Sequence, residues 1–183
     1  MASDFASLVS LACHDLRTPL ATVHGFAKTL VRHEELEPEK VTRYLGLIDA
    51  ASGELVGLLD LLSLAARIES GRYEPVLREV DSLELAPAGA TGTGAPVRVE
   101  PEAVTRALAA FAHAAARHGG NEVGVAVDGP RVKLGPIAES AAPIVLGEQQ
   151  KDLGAAVAVR LLRALGGEVA LDGERLTVTL PTS

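Results

Sequence analysis

Tryptophan is absent from the 183-residue sequence, and aromatic residues make up only 3% of it. A core without large rings must be assembled from Leu, Val and Ala. That suits helix packing and small helix–sheet layers and disfavours an aromatic-rich β-sandwich. Cysteine occurs once, as Cys13, which excludes an intramolecular disulfide framework and fits a reducing compartment. No run of Lys or Arg stands out and the formal net charge is −7, so nucleic acid is not an expected partner. No stretch is long and apolar enough to span a bilayer, and the sequence reads as that of a soluble, cytoplasmic protein. His24, His33, His113 and His118 stand at no metal-ligand spacing with the cysteine or with carboxylates. They are expected at the surface, and no metal site is expected.

What the chain has is apolar patterning, with 48% of its residues hydrophobic. Ala6, Val9, Cys13, Leu16, Leu20, Val23, Ala27 and Leu30 recur in alternating steps of three and four, the seam of a helix packed in a bundle. On this pattern Cys13 is a small buried seam residue. The charged break His33-Glu34-Glu35-Leu36-Glu37-Pro38 ends in a proline suited to the first turn of a second helix. That helix repeats the pattern at Val41, Ile48, Ala51, Leu55, Leu58, Leu62 and Ala65 and stops at Ser70-Gly71. Two helices of roughly 30 residues, each about 45 Å long, expose more apolar surface than a single hairpin buries. A homodimeric four-helix bundle is the expected solution.

The remainder is of another kind. Ala86 to Pro96 has no periodicity and reads as a loop. Glu100 to His118 reads as a helix ending at Gly119-Gly120, and Asp152 to Leu165 as an apolar helix ending at Gly166-Gly167. Glu122 to Val127 and Arg131 to Leu134 read as short strands. Glu168 to Leu171 and Arg175 to Leu180 alternate about Asp172-Gly173, a favoured hairpin turn. The expected class is α+β: a helical hairpin over residues 1–74 followed by a two-layer α/β sandwich over residues 75–183.

Chemistry concentrates in Cys13-His14-Asp15-Leu16-Arg17-Thr18-Pro19-Leu20, continued by Ala21-Thr22-Val23-His24-Gly25-Phe26. His14 lies beside the seam with its ring toward solvent. An imidazole is nucleophilic when neutral, and its ordinary pKa of about 6.5 keeps it mostly so near neutrality. Asp15 is placed to hold the ring and accept its proton, Arg17 offers a guanidinium to a nearby anion, and Thr18 lies one turn on, on the same face. Pro19 opens the helix locally. Beyond it, the small or flexible residues Ala21, Gly25 and Lys28 leave a shallow track where a partner can lie close to the backbone. A surface histidine that merely precedes an aspartate is the bland alternative, and the length of the motif weighs against it.

This segment closely resembles the phosphoacceptor motif of sensor histidine kinases, and Leu61-Leu62-Ser63-Leu64-Ala65-Ala66-Arg67-Ile68-Glu69-Ser70-Gly71 resembles the end of the second helix of their dimerisation domain. The resemblance implies that His14 carries a phosphoryl group. It also implies that Thr18 positions a water against a partner's phospho-aspartate, and that Ala21, Gly25 and Lys28 belong to a docking surface for a response-regulator receiver domain.

The second half resembles the ATP-binding part of those kinases with its chemistry missing. Ala110 and Ala114 stand where paired asparagines are expected, and alanine has no oxygen for a hard cation. The adenine-recognising aspartate should fall near Lys133, before Gly135-Pro136. The glycine-rich turn is reduced to Gln150-Lys151-Asp152-Leu153-Gly154-Ala155, where Asp152 repels phosphate. Ile137 to Gln149 is short for a lid. Lys151, Arg117 and His118 could together hold an anion, but solvated surface charge is the expected role. The resemblance thus implies a ChpT-type histidine phosphotransferase. Such a protein relays phosphate between receiver domains with no cofactor of its own, the Mg²⁺ being supplied by the receiver. The rivals are a kinase or receiver phosphatase with a divergent ATP site, and a non-catalytic dimeric scaffold.

Overall fold

The computed structural model describes residues 2–32 and 36–182, with side chains from Phe5 onward. The chain divides into two compact units, Met1–Ser63 and Leu64–Ser183.

In the first unit, α1 (Ala2–Arg32) and α2 (Pro38–Glu69) form an antiparallel helical hairpin. The Phe26 and Tyr44 rings meet across it with centroids 5.0 Å apart. His33, Glu34 and Glu35 of the predicted break lie outside the described residues. Pro38 opens α2, as its fixed φ favours, and Gly71 closes it in a left-handed conformation. There the Gly71 N–H donates to Ile68 O and the Arg72 N–H to Arg67 O, the reciprocal pair that satisfies the last carbonyls of a helix.

The seam is shifted from its expected place. Leu8, Ala12, Pro19 and Ala51 are buried, but Cys13 is exposed. Leu20, Val31, Leu45, Val56 and Leu59 are each more than half exposed in the protomer. The apolar stripe is wider than one interface: one edge turns inward, and the edge through Cys13 and Leu20 turns out. Cys13 is therefore not the buried residue that its heptad position suggests.

The second unit is built on a five-stranded mixed sheet. It comprises β2 (Thr91–Gly94), β4 (Gly124–Gly129), β5 (Arg131–Gly135), β6 (Glu168–Asp172) and β7 (Arg175–Thr179), in the order β2-β4-β5-β7-β6. β2 is parallel to β4 and the other neighbours are antiparallel. A separate antiparallel pair joins β1 (Arg78–Asp81) to β3 (Pro96–Val99). The expected loop from Ala86 to Pro96 thus contains a strand. Thr91-Gly92-Thr93-Gly94 has no apolar alternation, but backbone pairing does not need it. Gly92 has φ +120, and any Cβ there would collide with Val127 O, so close approach to β4 requires glycine.

Helices α3 (Pro101–Gly119), α4 (Ala142–Val145) and α5 (Leu153–Ala164) form the second layer. Val104, Leu108 and Phe111 of α3 and Ala158, Leu161 and Leu162 of α5 share one core with Val132, Leu134, Leu176 and Val178 of the sheet. The intervening Arg131, Lys133, Arg175 and Thr177 are at least partly exposed, the period-two alternation of a half-buried sheet.

The last turns of α2 belong to this second unit, because Leu64, Ile68 and Tyr73 pack against its core. The Tyr73 hydroxyl donates to Glu100 Oε2 at 2.6 Å, and the Arg67 guanidinium lies over its ring. Burial, then the hydrogen bond and charge of Glu100, push the Tyr73 phenol above its ordinary range. The folded chain thus keeps a proton that the unfolded chain releases from about pH 10. Stability present below that pH is expected to fall as pH rises beyond it. Absorbance titration should show one of the two tyrosines resisting ionisation until the fold opens. Simultaneous ionisation of both near pH 10 would contradict this.

Candidate functional site

His14 projects from the middle of α1, with 77% of its side chain exposed. Its Nδ1 lies 3.3 Å from Asp15 Oδ1, and the Asp15 side chain is only 23% exposed. The distance is at the long end for a hydrogen bond between these atoms, so Asp15 orients the ring without clamping it. A proton held at Nδ1 by the carboxylate leaves the Nε2 lone pair directed at solvent, the tautomer a nucleophilic imidazole needs.

The neighbouring candidates follow from helical spacing. Arg17 and Thr18, one turn on, and then Ala21, Gly25 and Lys28 are all exposed on the same side of α1 as His14. A Cβ built on Gly25 would meet nothing within 4 Å, so the track is open there. Pro19 is buried within the unbroken helix and has no N–H for the Asp15 carbonyl, which leaves that carbonyl without its helical donor. Thr22 Oγ1 donates to Thr18 O at 3.1 Å and Thr29 Oγ1 to Gly25 O at 2.9 Å, extra bonds of a kind that bend helices slightly. A nucleophile, an orienting carboxylate, a guanidinium and a hydroxyl are thereby gathered along a two-turn stretch of surface. Among the described residues no cluster of His, Cys, Asp and Glu could hold a metal ion.

The second candidate region lies where α3 approaches the start of α5. Ala114 is completely buried and Ala110 partly so. The Ala110 methyl lies 3.3 Å from the position a Cβ on Gly154 would take. The segment between β5 and α5 folds inward: Ile137, Ala141, Ile144 and Val145 are all buried, and α4 packs against both α3 and α5. Lys133, at the expected aspartate position, reaches Asp128 Oδ2 at 2.7 Å, and this ammonium holds the exposed Asp128 carboxyl below its usual range.

Asp152 differs most from its expected role. Its side chain is only 8% exposed, and its Oδ1 accepts the Ala155 N–H at 3.0 Å as the N-cap of α5. Oδ2 lies 3.4 Å from His118 Nε2 and 4.0 Å from Arg117 Nη1, both in the last turn of α3. His118 is consequently half-buried rather than fully at the surface, and its ring and the Arg117 guanidinium face a carboxylate as well as solvent. From sequence, Asp152 is expected only as a charge opposing phosphate. An aspartate directly before the helix is the local signal that marks such a cap, whereas its partners more than thirty residues earlier carry no sequence signal.

Comparison with known proteins agrees with this geometry. Residues 6–71 match the family of the His Kinase A (phospho-acceptor) domain. The solved structure of the Acinetobacter baumannii histidine kinase AdeS is similar over 93% of this chain and 98% of its own, with TM-score 0.63 and 18% identity. Full-length ShkA, solved in complex with AMPPNP, is similar over 96% of this chain with TM-score 0.53 and 25% identity. The match covers 45% of the ShkA chain, so this chain spans under half of that protein. No curated protein matches. The chain thus has a histidine-kinase-like fold, and the domain around His14 is a phospho-acceptor domain of the kind used in two-component signalling.

Proposed function

We propose that this chain is a histidine phosphotransfer protein that relays phosphoryl groups between response-regulator receiver domains through His14, without binding ATP itself. The observation that carries the reading is the contrast between the two candidate regions. The exposed imidazole and its carboxylate are in place at His14, whereas the groups present where α3 meets α5 do not fit a nucleotide. Ala110 and Ala114 offer no oxygen to Mg²⁺, and α4 packs on both helices. The carboxylate of Asp152 occupies the α5 N-terminus, where phosphate would need backbone N–H groups.

In the proposed step a receiver's phospho-aspartate docks along Arg17, Thr18, Ala21, Gly25 and Lys28. Nε2 of His14 attacks the phosphorus in line. The P–N bond forms as the acyl-phosphate P–O bond breaks, and the receiver aspartate leaves as a carboxylate. Asp15 retains the Nδ1 proton and offsets the positive charge developing on the ring. The second receiver reverses the step. The Mg²⁺ that neutralises the phosphoryl oxygens belongs to the receiver. The exposed stripe of Leu20, Leu45, Val56 and Leu59 supports a homodimer, in which a second hairpin completes a four-helix bundle.

The similarity to ShkA, solved with AMPPNP, supplies the competing reading: a kinase with a divergent nucleotide site. Incubation with radiolabelled Mg-ATP, and separately with a panel of labelled phospho-receivers, tests the two. The proposal expects no self-labelling and no saturable nucleotide binding up to millimolar Mg-ATP, with label moving from at least one receiver to this chain. Self-labelling from ATP would establish the kinase. Release of receiver label as free phosphate would establish a phosphatase acting through Thr18, and stable receiver binding without label movement a scaffold.

A further inference from the structure

We infer that Asp152 is a built-in replacement for an anionic ligand, an internal carboxylate that pins the end of α3 to the start of α5 so that the second unit holds its fold with no ligand bound. The inference goes beyond the phosphotransfer reading and stands whether or not His14 carries phosphate.

A carboxylate as buried as this one is strongly disfavoured unless its charge is met. Here it is met from three directions. The Ala155 N–H donates to Oδ1 at 3.0 Å, and the positive end of the α5 dipole lies beneath it. His118 Nε2, itself buried and without a hydrogen bond, and Arg117 Nη1 lie 3.4 and 4.0 Å from Oδ2, at ion-pair rather than hydrogen-bond geometry. The arrangement is that of an anion held at a helix N-terminus beside a guanidinium and an imidazole, except that the anion belongs to the chain. The approach of α3 to α5 here is close, with the Ala110 methyl 3.3 Å from where a Gly154 Cβ would stand, and Asp152 adds a polar link beside that apolar contact.

Calorimetric melting of the full chain tests this. Asp152→Ala is expected to lower the Tm of the second unit by roughly 4–8 °C, the scale of a lost helix cap plus a broken buried pair in a unit of this size. Asp152→Asn, which keeps the capping oxygen and removes only the charge, should lie between that variant and the parent, and it carries the comparison if the alanine variant does not fold. Adding His118→Ala to Asp152→Ala should lower Tm little further, because the partners act as a pair. Inorganic phosphate, at ionic strength matched with chloride, should raise the Tm of Asp152→Ala while leaving the parent unmoved. Parent-like melting of both Asp152 variants would overturn the inference. So would additive effects of the Asp152 and His118 changes, or an equal response of parent and variant to phosphate.

Discussion

His14→Ala is expected to abolish acceptance of phosphate from every receiver that labels the parent chain, a loss of about 10⁴-fold or more, down to background. The size follows from the chemistry. A phosphoramidate needs a nitrogen lone pair, and among the described residues near the motif His14 offers one that is both exposed and oriented by a carboxylate. His24, the next histidine along α1, is also exposed but lies ten residues on, and among the described residues no carboxylate pairs with it. The substitution removes a side chain that is 77% exposed and is hydrogen-bonded to its neighbour Asp15, so little packing is lost. Alanine also favours helix. Melting temperature and oligomeric state should therefore be unchanged, which separates loss of chemistry from loss of fold. Gel autoradiography after incubation with labelled receivers, with acid-lability to mark phosphohistidine, measures the effect. Undiminished label on the alanine variant would place the acceptor elsewhere and end the proposal.

How far this site could be read from sequence depended on how local each signal is. The helix carrying His14, its solvent-facing ring and the track through Thr18, Ala21 and Gly25 follow from spacing along one helix, which sequence records directly. Pro38 and Ser70-Gly71 mark the ends of α2 for the same reason. A heptad stripe, by contrast, says that residues are apolar but not which neighbour covers them. Cys13 and Leu20 therefore carry the seam pattern and yet face outward in the protomer. The strands β1, β2 and β3 are four residues each. Thr91-Gly92-Thr93-Gly94 is held by backbone pairing to β4, a tertiary fact with no side-chain period. Asp152 combines both cases. Its capping bond to Ala155 is local, although Asp152 was expected only to repel phosphate, whereas Arg117 and His118 are brought near it only by the packing of α3 on α5.

The outward edge of that stripe carries the second large effect. Leu20 on α1 and Leu59 on α2 are each more than half exposed in the protomer, along with Val31, Leu45 and Val56. Leu45, Val56 and Leu59 fall on one side of α2, since eleven residues is about three turns and three residues nearly one more. Burying a leucine fully is worth roughly 1.5–3 kcal/mol. A two-fold interface uses every such residue twice, so a few leucines suffice to hold two hairpins together. Leu59→Asp reverses the sign of that contribution. It removes two buried leucines per dimer and places two like charges in the new interface, each disfavoured by several kcal/mol unless paired. The dimer Kd is expected to weaken by about 10³-fold or more, enough for analytical ultracentrifugation at micromolar concentration to find monomer where the parent is dimeric. Leu20→Asp should act likewise, whereas Glu54→Ala, at an exposed polar position of the same helix, should leave the dimer intact. If Leu20→Asp and Leu59→Asp both sediment as the parent does, the outward stripe has no part in self-association, and the four-helix bundle must be abandoned.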